Sequence, residues 1–350
     1  MVGFDMDARS DRAQLILVGA VAIAFIVLGL AVVFNTVLYT ENVASTGAAS
    51  EPRDAQLLNK QVRVGSAGLV DRVNANASWE SQTDAYDALK ENISKYSSGL
   101  ANVTGASKPV SVAVEEGSQA DAEYAARIEQ DDGTEFTNIV GTKNWSMTTG
   151  SPGSTVIVRN FDMVVDSNSL GDETEDEAFR VVWQDSSGDD TYTLWIYEDD
   201  SSGDIAIRTL TDDETASPIT DFGSEGSDEC VLSGSSSSEV AFNISDGQIR
   251  GYDDCSEELN VSKGIPDGER RSVQFVRGDN VTGDYSMVVW QGGSSPSTYI
   301  SPDVAPPVDA GTIDPHWAYA IWEFEATTSY DSGSVSFEET SVIEVYNRSR

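Results

Sequence analysis

The sequence predicts an α+β protein: an N-terminal transmembrane helix, a helical stalk or αα-hairpin, then a mainly antiparallel, β-sandwich-like domain. Three observations predict it. Leu15–Leu38 carries no charge; apolar residues from Trp79 to Leu100 recur at intervals of seven; and from about Lys108 apolar and polar residues alternate between clusters of Gly, Ser and Asp. These patterns divide the chain into a leader (1–13), a membrane helix (14–40), a helical stalk (41–105) and a β-rich domain (106–350).

The uncharged run, LILVGAVAIAFIVLGLAVVFNTVL, has only Asn35 and Thr36 as strongly polar members. As a helix rising 1.5 Å per residue it covers about 36 Å, enough for a hydrocarbon core of about 30 Å. A secretory signal core is much shorter. Arg9 and Arg12 precede the run and no Lys or Arg follows before Arg53, so the positive-inside rule leaves the N-terminus in the cytoplasm and the C-terminal domain outside the cell. The lipid bilayer is therefore the first expected partner.

At the junction stands Asp11-Arg12-Ala13-Gln14-Leu15, a short charged leader ending on a small residue, with Gln opening the apolar helix. This segment resembles the class III signal peptides of archaeal type IV pilin-like proteins, and the resemblance implies cleavage between Ala13 and Gln14 on the cytoplasmic side. It covers about the first forty residues. Pilin helices of that kind usually carry Glu at the fifth mature position, whereas this chain has Val18, which points away from a filament body subunit and toward a minor, initiating or non-polymerising relative. An ordinary signal anchor is the alternative. In layout the chain also resembles haloarchaeal membrane-anchored surface proteins.

Gly47 and Pro52 interrupt the helical pattern after the span. A helix capped by Ser50 is expected to run to about Asn74, with Leu58, Val62, Leu69 and Val73 on one side and Gly65 and Gly68 weakening its middle. The next helix, capped by Ser78, carries Trp79, Tyr86, Leu89, Ile93, Tyr96 and Leu100 on one seam. Three heptads beside a second helix favour an intramolecular αα-hairpin over an oligomerising coiled coil.

In the β-rich part, Phe179-Val181-Trp183, Tyr192-Leu194-Ile196 and Ile205-Ile207-Thr209 are separated by Asp/Ser/Gly turns and read as a three-stranded meander. Further strands are expected at Val110–Val114, Thr155–Val165, Glu239–Asn243, Gln248–Tyr252, Ser272–Arg277, Tyr285–Gln291, Ala318–Glu325 and Val335–Val345. Gly292–Pro315, with five prolines, reads as a linker, a long surface loop or a domain boundary. Cys230 and Cys255, 25 apart on the side expected to be outside, are expected to pair.

Composition restricts function. A formal net charge of -38 and only six lysines exclude a nucleic-acid partner, because phosphate binding needs clustered cations. With 39% hydrophobic residues and seven Trp the chain has the material of a folded core, so the acidity reads as a surface adapted to high salt. Eight of fifteen asparagines lie in Asn-x-Ser/Thr sequons: Asn76, Asn92, Asn102, Asn144, Asn243, Asn260, Asn280 and Asn347. They suggest a glycoprotein. No nucleophile elbow, phosphate loop or zincin helix is present, and two Cys with the single His316 cannot make a four-ligand zinc set, so neither catalysis, metal nor cofactor is expected; a glycosidase-type carboxylate pair drawn from distant strands stays open, with no pair standing out among the 59 acids. Asp185–Asp190 and Asp199–Asp204 read as solvated turns rather than calcium loops. Two functions follow: a pilin-like accessory subunit of an archaeal surface-filament or secretion system, meeting other pilin-like subunits, or a constitutively anchored module that binds a surface glycan or protein.

Overall fold

The computed structural model describes residues 53, 55–75, 78–107, 109–149, 155–172, 174, 176–185, 191–200, 202–211, 229–233, 238–252, 255, 270–307 and 313–346. The expected span Leu15–Leu38 and the Ala13–Gln14 junction lie outside them, as do Asn76, Asn260 and Asn347. Among the described residues no helix is long and apolar enough to cross a membrane.

Helix α1 covers residues 55–74 and α2 covers Gln82–Ser107. Ala55, Leu58, Val62, Ser66, Val70 and Asn74 are buried at helical spacing along α1, with Leu69 and Val73 only half-buried beside them. Gly65, which local propensity disfavours, is explained by the hairpin: a Cβ there would come within 2.4 Å of the Tyr96 hydroxyl of α2. α2 starts three residues later than the Ser78 cap implies. Trp79 is drawn into a bridge with Tyr319, whose N–H donates to Trp79 O at 3.1 Å, and Ser81 becomes the cap, its Oγ accepting from Asp84 N. Ala85, Leu89 and Ile93 are fully buried, while Tyr86, Tyr96 and Leu100 pack against them.

The hairpin lies on an eight-stranded antiparallel sheet. Its strands are β1 (Ser111–Glu116), β2 (Glu123–Gln130), β4 (Ile157–Asp166), β9 (Glu239–Asn243), β10 (Gln248–Ile249), β12 (Gly283–Trp290), β13 (His316–Asp331) and β14 (Ser336–Glu344), in the order β1-β13-β2-β12-β4-β9-β10 with β14 on β13. The sixteen-residue β13 is the spine. Its first half pairs with β2, His316 opposite Glu129, and its second half lies between β1 and β14. Asn74, fully buried at the end of α1, locks helix to spine: its Oδ1 accepts from Ile321 N, and its Nδ2 donates to Ile321 O and Tyr346 Oη.

A second sheet faces the other side, in the order β3 (Trp145–Ser146), β11 (Arg270–Val276), β5 (Phe179–Asp185), β6 (Thr191–Glu198), β7 (Ile205–Thr211) and β8 (Glu229–Val231). It contains the expected meander, β5-β6-β7. Between the sheets, Phe136, Phe179, Phe275 and Tyr285 form an aromatic knot with ring centroids 5.0–5.5 Å apart. The architecture is thus three layers, hairpin on sheet on sheet, with the sandwich core enclosed between the two sheets.

Two long-range features close the sandwich. Cys230 of β8 and Cys255, beyond β10, form a disulfide with a Cα–Cα distance of 5.7 Å, joining an edge of one sheet to an edge of the other. Residues 292–307 of the proline-rich segment pack against the sandwich rather than standing off as a linker. Pro296–Tyr299 forms a short helix, α3, and Tyr299, Ile300, Val304 and Ala305 are buried, so this stretch seals one end of the core. The apolar residues among its prolines gain more from burial than the segment's loop-like composition suggests.

Candidate functional site

The eight-stranded sheet carries polar chemistry in a small open cluster, a sealed one and a larger groove. The open one is a cleft of about 290 Å³ where the N-terminus of α2, the start of β2 and the loop after β12 converge. Its aromatic wall is Trp290, the last residue of β12, with Tyr124 of β2 alongside. β2 runs between β12 and β13, and its Ala125, opposite Ala320, leaves room for two indoles to meet above it. Trp290 and Trp322 use that room, stacking with centroids 4.8 Å apart and planes 4° from parallel; Tyr346 packs on Trp322 at 5.3 Å. Trp322 is buried and Trp290 half-buried.

The polar wall comes from loops held by their own turn chemistry. Ser118 and Asp121 cap the short 3-10 turn Gln119–Asp121, and Gln119 Nε2 donates to Thr83 Oγ1 at 3.3 Å, tying that turn to the first turn of α2 beside Gln82. Tyr86 Oη donates to Gly117 O at 2.6 Å. Gly293, at φ +66°, turns the chain back toward Ser294 and Ser295. A Cβ on neighbouring Gly292 would press on the Trp290 ring at 3.3 Å. Glu123 is the one charged residue in the lining. Burial first, then the nearby Tyr86 phenol, pushes the Tyr124 phenol up to about 12, and an interaction with the Gln119 side chain pulls the other way. A larger groove of about 530 Å³ runs over β4, β9 and β10, where burial and then Asp246 raise the Asp162 carboxyl.

The sealed cluster is built around His316, the chain's one histidine. Its Nδ1 lies 2.7 Å from Asp314 Oδ1 and its Nε2 3.2 Å from Glu129 Oε1, while Arg127 pairs with the other oxygen of Glu129. The imidazole side chain is 5% exposed and each carboxylate 13%, so the charges neutralise one another largely out of water. Burial alone would depress the imidazole pKa, but the hydrogen bonds to Glu129 and Asp314 and their charges outweigh it and raise it above its ordinary value. Burial likewise raises the Asp314 carboxyl against the pull of His316, with Asp132 and Asp131 adding to the rise. Both imidazole nitrogens face carboxylates, so the arrangement works as a clamp between β13 and β2.

The other sequence candidates are dispersed. Asn92 and Asn102 lie on α2, Asn144 precedes β3, Asn243 ends β9 and Asn280 follows β11. Asn92 Nδ2 donates to Ala88 O and Asn280 Nδ2 to Glu177 O, whereas Asn102 and Asn144 are exposed. Asp199 closes its own turn, Oδ2 accepting from Ser202 N and Oγ. Among the described residues no group of three or more His, Cys, Asp or Glu could hold a metal ion. The cleft was not legible in the sequence because its lining comes from three separate stretches; the Gly292-Gly293 pair two residues after Trp290 was its one local signal.

The fold and cleft define a class: an antiparallel β-sandwich capped by an αα-hairpin, with a small polar pocket at the hairpin's edge. Residues 9–144 match a family of unknown function (DUF7261). That stretch takes in part of the leader, the expected span, both helices, β1 and β2, and stops just before β3. No curated protein and no solved structure matches the chain.

Proposed function

We propose that this chain is a non-enzymatic, membrane-anchored, pilin-like accessory protein of an archaeal surface-filament or secretion system, with its sandwich outside the cell. The observation that carries the reading is the Arg12-Ala13-Gln14 junction ahead of 24 uncharged residues. Its support is that a single family match runs from residue 9 through both helices into β2, so the anchor and the docked hairpin belong to one unit of sequence. The non-enzymatic part is supported by His316, whose two ring nitrogens both face carboxylates in a largely buried cluster. Intact-mass and N-terminal analysis of the protein from native membranes tests it. A mature chain beginning at Gln14 is expected; retention of Met1–Ala13 overturns it.

A second reading, a constitutively anchored binding or adhesion module, is favoured by the Trp290 cleft. Under it the leader is retained and the outward-facing sandwich holds a surface ligand.

A further inference from the structure

The cleft beside Trp290 combines features that select a ligand class. Its volume of about 290 Å³ sits at the lower limit of small-ligand pockets, about 300 Å³, and matches a single small ring. The indole is fixed by its parallel stack on Trp322, so it loses little rotamer freedom when something lies against it. Around it stand the amides of Gln82 and Gln119 and the hydroxyls of Ser294 and Ser295, each able both to donate and to accept.

The charge pattern removes the alternatives. Glu123 is the one charged residue type in the lining and no Lys or Arg stands among the lining residues, so phosphate, sulfate or a uronate finds no counter-charge there. A quaternary ammonium would suit the indole and the carboxylate but would leave the amides and hydroxyls desolvated without partners. A ring with an apolar C–H face and a rim of neutral hydroxyls uses both halves of the lining.

We propose that the Trp290 cleft binds a neutral pyranose, one or two rings of a surface glycan, with the ring face against Trp290 and its hydroxyls on Gln82, Gln119, Glu123 and Ser294. This deepens the second reading above and rests on it for the outward placement of the sandwich. The cleft is small and open, so affinity is expected on the order of 1 mM.

Saturation-transfer NMR on the full chain in detergent and concentrated KCl tests the site. The probes are glucose, galactose, mannose and N-acetylglucosamine, with choline and inorganic phosphate for comparison. Transfer to ring C–H protons of at least one sugar is expected, about tenfold weaker binding in Trp290→Ala and about fivefold in Gln82→Ala. Trp290→Ala also removes the partner of Trp322, so circular dichroism accompanies it, and Gln82→Ala decides the matter where that variant does not fold. Absence of transfer to every sugar at about 50 mM, transfer to choline alone, or undiminished binding in Gln82→Ala overturns the proposal. A chain that sediments with membranes but ignores all four sugars keeps its anchored reading and loses only this ligand. A chain that binds sugar yet fractionates away from membranes loses the anchored reading instead.

Discussion

The His316 clamp and the Trp290 cleft lie on the same sheet, against the same central strand β2, yet their polar groups are used in opposite ways. In the clamp both ring nitrogens meet carboxylates, and water is nearly excluded. In the cleft the amide and hydroxyl groups stand half-exposed around a fixed indole. The difference follows from position. His316 opens β13 with Asp314 against one ring nitrogen and Ala305 bridged to it, whereas Trp290 ends β12 two residues before the Gly292-Gly293 turn. A satisfied, sealed polar cluster specifies structure; an open one with unspent donors is free for a ligand.

Breaking the clamp is expected to have the largest effect. His316→Ala leaves Asp314 without its cation and Glu129 with Arg127 alone, and should cost about 3–5 kcal/mol in denaturant unfolding of the full chain. A loss under about 1 kcal/mol would show that Arg127 alone suffices for Glu129. Replacing Cys230 and Cys255 by Ser releases a 25-residue loop between the sheet edges and should cost about 3 kcal/mol, read as a lower urea midpoint. Asn74→Ala deprives the backbone N–H and C=O of Ile321 of their partners and should cost about 2–3 kcal/mol; unchanged stability would mean that the hairpin docks through apolar contacts alone.

The clamp also sets a pH dependence. The folded His316 pKa is raised above the 6.5 of the free side chain, so its contribution is complete below 6.5 and is lost as pH rises through the folded value. Wild-type thermal stability should therefore fall on the alkaline side of 6.5, and His316→Ala should flatten that decline. At the small end, Gln82→Ala in the cleft should shift stability by no more than about 0.5 kcal/mol, which separates a ligand-facing residue from a structural one.

Much of the fold was legible because local periodicity carried it. The meander β5-β6-β7, the strand at Glu239–Asn243 and the buried positions Leu89 and Ile93 follow directly from alternation and heptad spacing. β2 was not legible. Its sequence, EYAARIEQ, is rich in Ala and charge and poor in β-branched residues, yet it becomes a central strand because β12 and β13 both pair with it. The short strands β3 and β8 likewise owe their form to β11 and β7 rather than to their own residues.

Sequence alone determined the uncharged segment, the hairpin's apolar seam, the antiparallel sandwich and the pairing expected of two cysteines, because each depends on spacing along the chain or on having one partner available. Tertiary structure alone decided that the hairpin lies flat on the larger sheet, that the proline-rich stretch plugs the core, and that Trp290 meets Trp322 beside a polar pocket. Those facts depend on which residues oppose one another across β2, and strand order and register are set by the collective burial of both sheets, which no local window contains.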